Sequence, residues 1–284
     1  MRGANAITMM GRRNPNEDAR RRALVRLNGM MFYCLGIASF VESTAPLDTN
    51  RLIRLSEAHA DVRPWLENVW LPGRAGHGRR FRAYIETTWP EFEWEGAYEE
   101  FREAYGSRSP ARVGAPGRAL EFVARCVTET TLAVFYRTLG RCADDPELRE
   151  LAGAAARDHG AYFGLFRNLY ERVGGRRRAG LATACRTAIA SCRSAREVDV
   201  AAAFQPLGRH WHGGWVFPEL TYPEFLERLS RMLKRQAGLG AFERLLFRPW
   251  LDAAPVKAEK PAATAVPGAS RKGADSGGAV ARAV

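Results

Sequence analysis

The chain has 284 residues, 46% of them hydrophobic, and a formal net charge of +12. That length allows one large domain with a substantial core, or two small ones, and the composition suits a soluble globular protein. The longest apolar stretch, Gly29 to Val41, falls short of the roughly 20 residues that span a bilayer, so a buried helix is expected there and no membrane contact.

The N-terminal basic residues Arg12, Arg13 and Arg20 to Arg22 are interrupted by Asn14, Asn16, Glu17 and Asp18. No secretory h-region with a small-residue cleavage site follows them, and a cytoplasmic protein is the default expectation. The cysteines Cys34, Cys126, Cys142, Cys185 and Cys192 are odd in number, widely spaced and without a C-x-x-C pair, which points to reduced thiols. The positive charge comes mostly from arginines scattered through helical segments, with short runs at Arg20–Arg22 and Arg176–Arg178. No aromatic-and-basic stacking motif accompanies them, so nucleic-acid binding is not expected.

Residues 1–16 read as a flexible leader. A helix is predicted from Asn16 to Thr44, with the stripe Leu24, Leu27, Met31, Leu35, Ala38, Glu42, ended by Pro46. A second helical region runs from Thr49 to Tyr84, with Pro64 near a break and the stripe Leu66, Trp70, Gly73, His77, Phe81, Tyr84. Glu86 to Gly114 reads as a connection with short helical turns, its Trp89–Trp94 segment capping a bundle end. A third helix follows Pro116-Gly117 and reaches Leu139; one face carries Phe122, Cys126, Glu129, Ala133 and Tyr136. It is apolar nearly all round, the mark of a central helix. A fourth starts at Asp144 or Asp145 with Pro146 in its first turn and stops at Gly174-Gly175. Its stripe is Leu148, Leu151, Ala155, His159, Tyr162, Phe166, Leu169, Val173.

Beyond these come a helix at Leu181–Ser194, an aromatic loop at Phe204–Phe217, an amphipathic helix at Pro223–Gln236 and a short helix ending near Trp250. The residues after Leu251, rich in Ala, Pro and Gly, read as a disordered tail. No strand alternation stands out. The expected class is all-α, with one helical domain over 17–250: a core over 21–173 and extra helices over 181–250.

A polar group on an apolar stripe needs partners, because an unpaired one costs roughly 1–3 kcal/mol in a core. Glu42, His77, Glu129 and His159 sit on four successive stripes, which suggests that they meet at one level. Arg74 and His77, and His159 and Tyr162, share helix faces three residues apart.

These residues carry a resemblance. Trp65 through Gly78, with its Trp-rich turn before Arg74-Ala75-Gly76-His77-Gly78, resembles the second ligand helix of the acyl-carrier-protein desaturase branch of the ferritin-like di-iron carboxylate proteins. There the motif is Glu-Glu-x-x-His-Gly. Thr128-Glu129-Thr130 resembles the third ligand helix, and Ala156-Arg157-Asp158-His159-Gly160-Ala161-Tyr162-Phe163 the fourth, normally Asp-Glu-x-x-His. Glu42 falls where the first helix supplies its lone Glu. The resemblance implies a ferritin-like four-helix bundle, one Glu on each of two helices and Glu-x-x-His on the other two. It also implies two iron ions that activate dioxygen for desaturation, hydroxylation or oxidation. This chain departs from the pattern at three of six positions: Arg74 and His159 replace the bridging carboxylates and Tyr162 replaces a histidine.

Two carboxylates, Glu42 and Glu129, remain where four would balance two divalent ions, and Arg74 adds a positive charge. The first reading is therefore a divergent relative of the di-iron desaturases and oxygenases that lacks a normal di-iron centre. It would act as a non-catalytic or ligand-binding homologue, with an apolar or carrier-linked small molecule as ligand and pairing as a homodimer open to it. The alternative is an active O2-dependent oxidoreductase with a single Fe or Mn ion on Glu42, His77, Glu129 and His159, and Tyr162 as a catalytic proton or hydrogen donor. That alternative requires Arg74 to swing out. A third reading, a basic surface for anions or nucleic acid, rests on net charge alone. Asp158 lies one position off its stripe and is a weak substitute for the lost carboxylate. His210 and His212 face apart on a helix, which favours a loop or interface role over a metal pair.

Overall fold

A computed structural model describes residues 15–55, 61–108, 118–174 and 180–252. The expected leader lies outside them except for its last two residues, and the expected tail lies outside from residue 253 onward. Among the described residues the structure is helical, and the strand-like feature is an isolated antiparallel bridge between Phe92 and Trp211. The all-α expectation holds.

The first predicted helix is two: α1 (Pro15–Arg26) and α2 (Gly29–Ser43). Asn28 divides them. Its backbone leaves the helical region and its side chain accepts the Met31 N–H at 3.2 Å, which is N-cap chemistry. Leu24 and Leu27 therefore fall before the cap and are exposed rather than part of the buried stripe. Pro46 was expected to end this region. It sits instead in the first turn of α3 (Ala45–Leu55), where its missing N–H costs nothing. That helix brings Asp48 into the core.

Next come α4 (Val62–Trp65), a wide π-helical stretch (Leu66–Trp70) and α5 (Leu71–Thr88). In the wide stretch the Leu71 N–H donates to Leu66 O, five residues back. Pro72 follows immediately; it has no N–H to give, and its ring would press on the carbonyl one turn behind. A wide turn at that point relieves the contact. The segment read as a connection contains a 15-residue helix, α6 (Trp94–Arg108). Trp94, Ala97 and Phe101 recur on its buried side at helical spacing, beneath charges that dominate the sequence. Trp89 is fully buried and donates its indole N–H to Arg26 O at 2.9 Å.

The longest helices, α7 (Arg118–Cys142) and α8 (Pro146–Gly174), form the most extensive pairing. Asp145 accepts the Glu147 N–H at 2.8 Å and starts α8 as expected. Then follow α9 (Leu181–Ser194), a π-helical continuation (Ala195–Val200), α10 (Ala201–Arg209), α11 (Tyr222–Gln236), α12 (Ala241–Leu246) and α13 (Arg248–Leu251). Phe204, expected in a loop, lies in α10; the aromatic loop begins at His210. Thr221 and Glu224 form a capping box at the start of α11.

Two apolar clusters organise the interior. The larger includes Phe40, Phe81, Tyr136 and Ala155 and reaches the C-terminal helices at Phe225 and Trp250. The smaller holds Leu52, Trp70, Phe122, Tyr162 and Phe166. α8 passes from the larger to the smaller, and α2, continued by α3, does the same. α5 and α7 run the opposite way. Since α5 and α7 share a direction, the chain between them must cross the length of the core, and α6 lies in that crossing. The stretch Gly29–Arg54 is long and apolar enough to span a membrane, but 72% of its most apolar window is buried within the fold. It packs as a core helix.

Candidate functional site: an ion-paired layer between two apolar clusters

Where each of the four helices passes between the clusters, it places a polar side chain. Glu42 (α2), Arg74 and His77 (α5), Glu129 (α7) and His159 (α8) are each at most 1% exposed. α3 adds Asp48 and α7 adds Arg125, both nearly as buried.

The contacts form two linked chains. Arg74 donates through Nε to Glu42 Oε2 at 3.0 Å, through Nη1 to Asp48 Oδ2 at 3.1 Å and through Nη2 to the Val41 carbonyl at 2.6 Å. Arg125 Nη1 reaches the same Asp48 oxygen at 3.3 Å. His159 lies between the two glutamates, with Nδ1 2.5 Å from Glu129 Oε2 and Nε2 3.0 Å from Glu42 Oε1. Tyr136 donates its hydroxyl to Glu42 Oε1 at 2.6 Å, and Trp70 its indole N–H to Glu129 Oε1 at 3.3 Å. The Trp70 ring also lies against two guanidinium groups, its centroid 5.0 Å from the Arg74 Cζ and 5.4 Å from that of Arg125. All four carboxylate oxygens of Glu42 and Glu129 thus accept from protein donors.

The electrostatics follow from these neighbours. Burial alone would raise the Glu42 carboxyl, but Arg74 and His159 beside it hold it below the ordinary carboxylate range. Burial alone would lower the His159 imidazole, yet Glu42 and Glu129 push it up to about 9. His159 is therefore an imidazolium that donates from both nitrogens. Burial opposes the charge on Arg74, and Glu42 and Asp48 overcome it and raise its pKa. Burial, then Glu42, keeps the Tyr136 phenol protonated. In formal charge, Arg74, Arg125 and His159 oppose Glu42, Asp48 and Glu129, so the layer is neutral.

His77 shares the level but not the network. Its ring centroid is 6.3 Å from that of His159. Arg80 Nη2 lies 2.9 Å from its Nδ1, and Asp158 Oδ2 lies 2.8 Å from its Nε2. A guanidinium can only donate, so Nδ1 accepts and Nε2 carries the proton toward Asp158. Burial lowers the His77 pKa, against the opposing pull of Glu42 and Asp158. Asp158, read as a weak substitute ligand, is thus the histidine's surface partner, with about half its side chain exposed. Tyr162 packs on Gly73 so closely that a Cβ there would lie 2.1 Å from its hydroxyl oxygen. Burial and the nearby Asp158 raise the Tyr162 phenol to about 12.

The four-residue metal set is therefore only partly assembled: Glu42, His159 and Glu129 are in contact, while His77 turns both nitrogens elsewhere. Among the described residues no group of three or more His, Cys, Asp or Glu side chains converges as a metal site. His159 separates the two glutamates instead of sharing a point with them. Sequence reasoning missed Asp48, because its helix was thought to end at Pro46, and Arg125. Arg125 had a legible signal: it stands four residues before Glu129 on a helix too apolar to leave a solvated face. His210 lies between Glu93 and Glu100, at 3.3 and 3.2 Å, in the loop that pairs with Phe92.

No family model, curated protein sequence or solved structure matches this chain.

Proposed function

We propose that this protein is a ferritin-like relative of the di-iron desaturases and oxygenases in which an ion-paired network replaces the metal centre, leaving a non-catalytic, ligand-binding scaffold. The helix directions support the ferritin-like reading. α2 and α8 run one way and α5 and α7 the other, which demands the single long crossover of that bundle type. The functional reading rests on one observation: every oxygen of Glu42 and Glu129 already accepts from a protein donor, and the donor between them is the His159 imidazolium.

These residues do not fit a dinuclear iron centre. Such a site needs bridging carboxylates on α5 and α8; Arg74 and His159 stand in those positions, and both are cations. Two divalent ions added to a layer that is already neutral would leave a large buried positive charge. A metal would also have to compete with a guanidinium that makes a directed, charge-assisted bond to Glu42.

The test is elemental analysis of protein produced in iron- and manganese-rich medium and after aerobic reconstitution, alongside Arg74→Glu. Wild-type protein without bound metal is the expected result. One or two iron or manganese ions per chain, lost in Glu129→Ala, would overturn the reading and return the protein to the oxygen-activating enzymes.

A further inference from the structure

A cavity of about 70 Å³ lies between α2 and α7 on one side and the C-terminal helices on the other. Its wall takes Ile37, Ala38 and Val41 from α2, Leu132 from α7, Ala195 from the start of the second π-helical stretch and Leu229 from α11. Close-packed interiors leave few voids larger than a water molecule. Here Ala38 and Ala195, with one methyl group each, leave space that their larger neighbours do not fill.

The surface of the cavity is almost wholly apolar, and the polar tips of its lining residues are used elsewhere. Thr128 and Thr131 donate their hydroxyls to the Ala124 and Val127 carbonyls, one turn back in α7. Tyr136 gives its hydroxyl to Glu42 in the ion-paired layer. Asp199 has an interaction of its own. Water is a poor occupant of such a space, because a buried water needs about two to four polar partners. An empty space forfeits the dispersion contacts of the side chains around it. A molecule without hydrogen-bonding groups restores those contacts and strands no polar group of its own.

We propose that this cavity binds a small neutral molecule without hydrogen-bonding groups, of the short-hydrocarbon class, held by packing alone. Size sets the limit. An engineered apolar cavity of about 150 Å³ holds benzene, so one of about half that volume takes about three non-hydrogen atoms. Charged molecules are excluded, because a charge taken out of water needs a paired countercharge. Alcohols and carbonyl compounds of the same size are disfavoured, because their oxygen would be buried unpaired. The proposal rests on the reading of the chain as a binding protein, and it assigns that role to a place outside the ion-paired layer.

The experiment titrates the full chain with propane and with ethanol, its size-matched polar counterpart, and reads methyl resonances by NMR. Propane should shift the methyl groups of Ile37, Val41, Leu132 and Leu229 on the cavity wall. Those of Leu52, Leu66 and Leu169 in the smaller cluster should stay in place. Ethanol should bind at least about 5-fold more weakly, the least effect expected of an unpaired buried polar group. Two changes at the half-buried Leu132 then test size in opposite directions. Leu132→Trp fills the space and should abolish propane binding. Leu132→Ala enlarges it and should admit benzene, which the wild type should exclude. Cavity methyl groups that ignore propane in the wild type, equal binding of propane and ethanol, or shifts of the same size in both clusters would each overturn the proposal. So would propane binding that survives Leu132→Trp. Metal analysis of the same samples keeps the outcomes separate: a metal-free protein that ignores propane sinks this site alone, whereas a metal-loaded one sinks the binding-protein reading.

Discussion

His159 and His77 are two fully buried histidines on the same level of the core, and their environments drive them in opposite directions. His159 lies between two buried glutamates and is pushed up to about 9. His77 faces a guanidinium on one nitrogen and a half-exposed carboxylate on the other, and burial lowers it. Burial disfavours the imidazolium in both places, so desolvation does not decide the charge. What decides is whether enough carboxylate is buried along with the ring. The two carboxylates that contact His159 make it a structural cation; the single, solvent-screened Asp158 leaves His77 neutral.

The largest test of this contrast removes the layer's other central cation. Arg74→Met leaves Glu42 and Asp48 buried without their shared guanidinium. Breaking a buried ion pair from one side costs about 3–5 kcal/mol, and urea unfolding should register a loss of that size. A loss near zero would mean that Arg125 and His159 suffice, and that Arg74 is packing rather than pairing.

Next in size is the pH dependence. His159 has a folded value of about 9 against 6.5 in the unfolded chain. Its contribution is complete below about pH 6.5 and is lost as pH rises through about 9. At about 1.4 kcal/mol per pKa unit, it amounts to roughly 3 kcal/mol. His77 has the opposite sign: its folded value lies below 6.5, so its contribution is present above that pH and is lost as pH falls through it. Stability curves of wild type and His159→Gln should diverge most at pH 6 and converge toward pH 10. Parallel curves would show that His159 is not an imidazolium.

Gly73 gives a smaller, steric test. A Cβ at that position would lie 2.1 Å from the Tyr162 hydroxyl oxygen. Gly73→Ala gains roughly 1 kcal/mol in helix propensity, yet overpacking of this kind costs about 1–3 kcal/mol. A net loss in melting temperature is expected, largely recovered by adding Tyr162→Phe. Equal melting of wild type and Gly73→Ala would show that Tyr162 has room to move.

The fold class and the helices α7, α8, α9 and α11 were legible in outline, α7 and α8 most firmly because their apolar spacing agrees with the residues that start and stop them. Gly117 and Gly174 bracket long periodic runs, whereas α11 was read from its amphipathic pattern alone and its capping box of Thr221 and Glu224 emerged with the structure. The level of the polar layer was legible too, from four polar residues interrupting apolar stripes. The pairings were not. Glu42, Arg74 and His159 could be named, but which oxygen faces which donor depends on how α2 packs against α5, and no local pattern encodes that. Asp48 was lost through a misread proline: α2 stops at Ser43 and α3 starts after one intervening residue at Ala45, so Pro46 marks the first turn of a helix and not the end of one. α6 was lost because its apolar positions are outnumbered by Glu, Arg and Gly on its exposed side.

The smallest prediction bears most directly on the contrast between the two histidines. Asp158→Asn keeps an acceptor oxygen for the His77 Nε2 proton and removes the carboxylate charge. If Asp158 only orients the ring, the amide serves nearly as well and stability falls by no more than about 1 kcal/mol, since half the side chain is in solvent and its charge is screened. If instead Asp158 stores enough negative charge to hold His77 partly protonated, the variant should push the His77 midpoint clearly down and steepen the loss of stability on the acid side. The expected outcome is a small, nearly pH-independent loss, with the His77 ring resonances in NMR titrating close to their wild-type midpoint. A midpoint raised by the substitution would reverse the assignment, because it would mean that the carboxylate had been disfavouring the imidazolium.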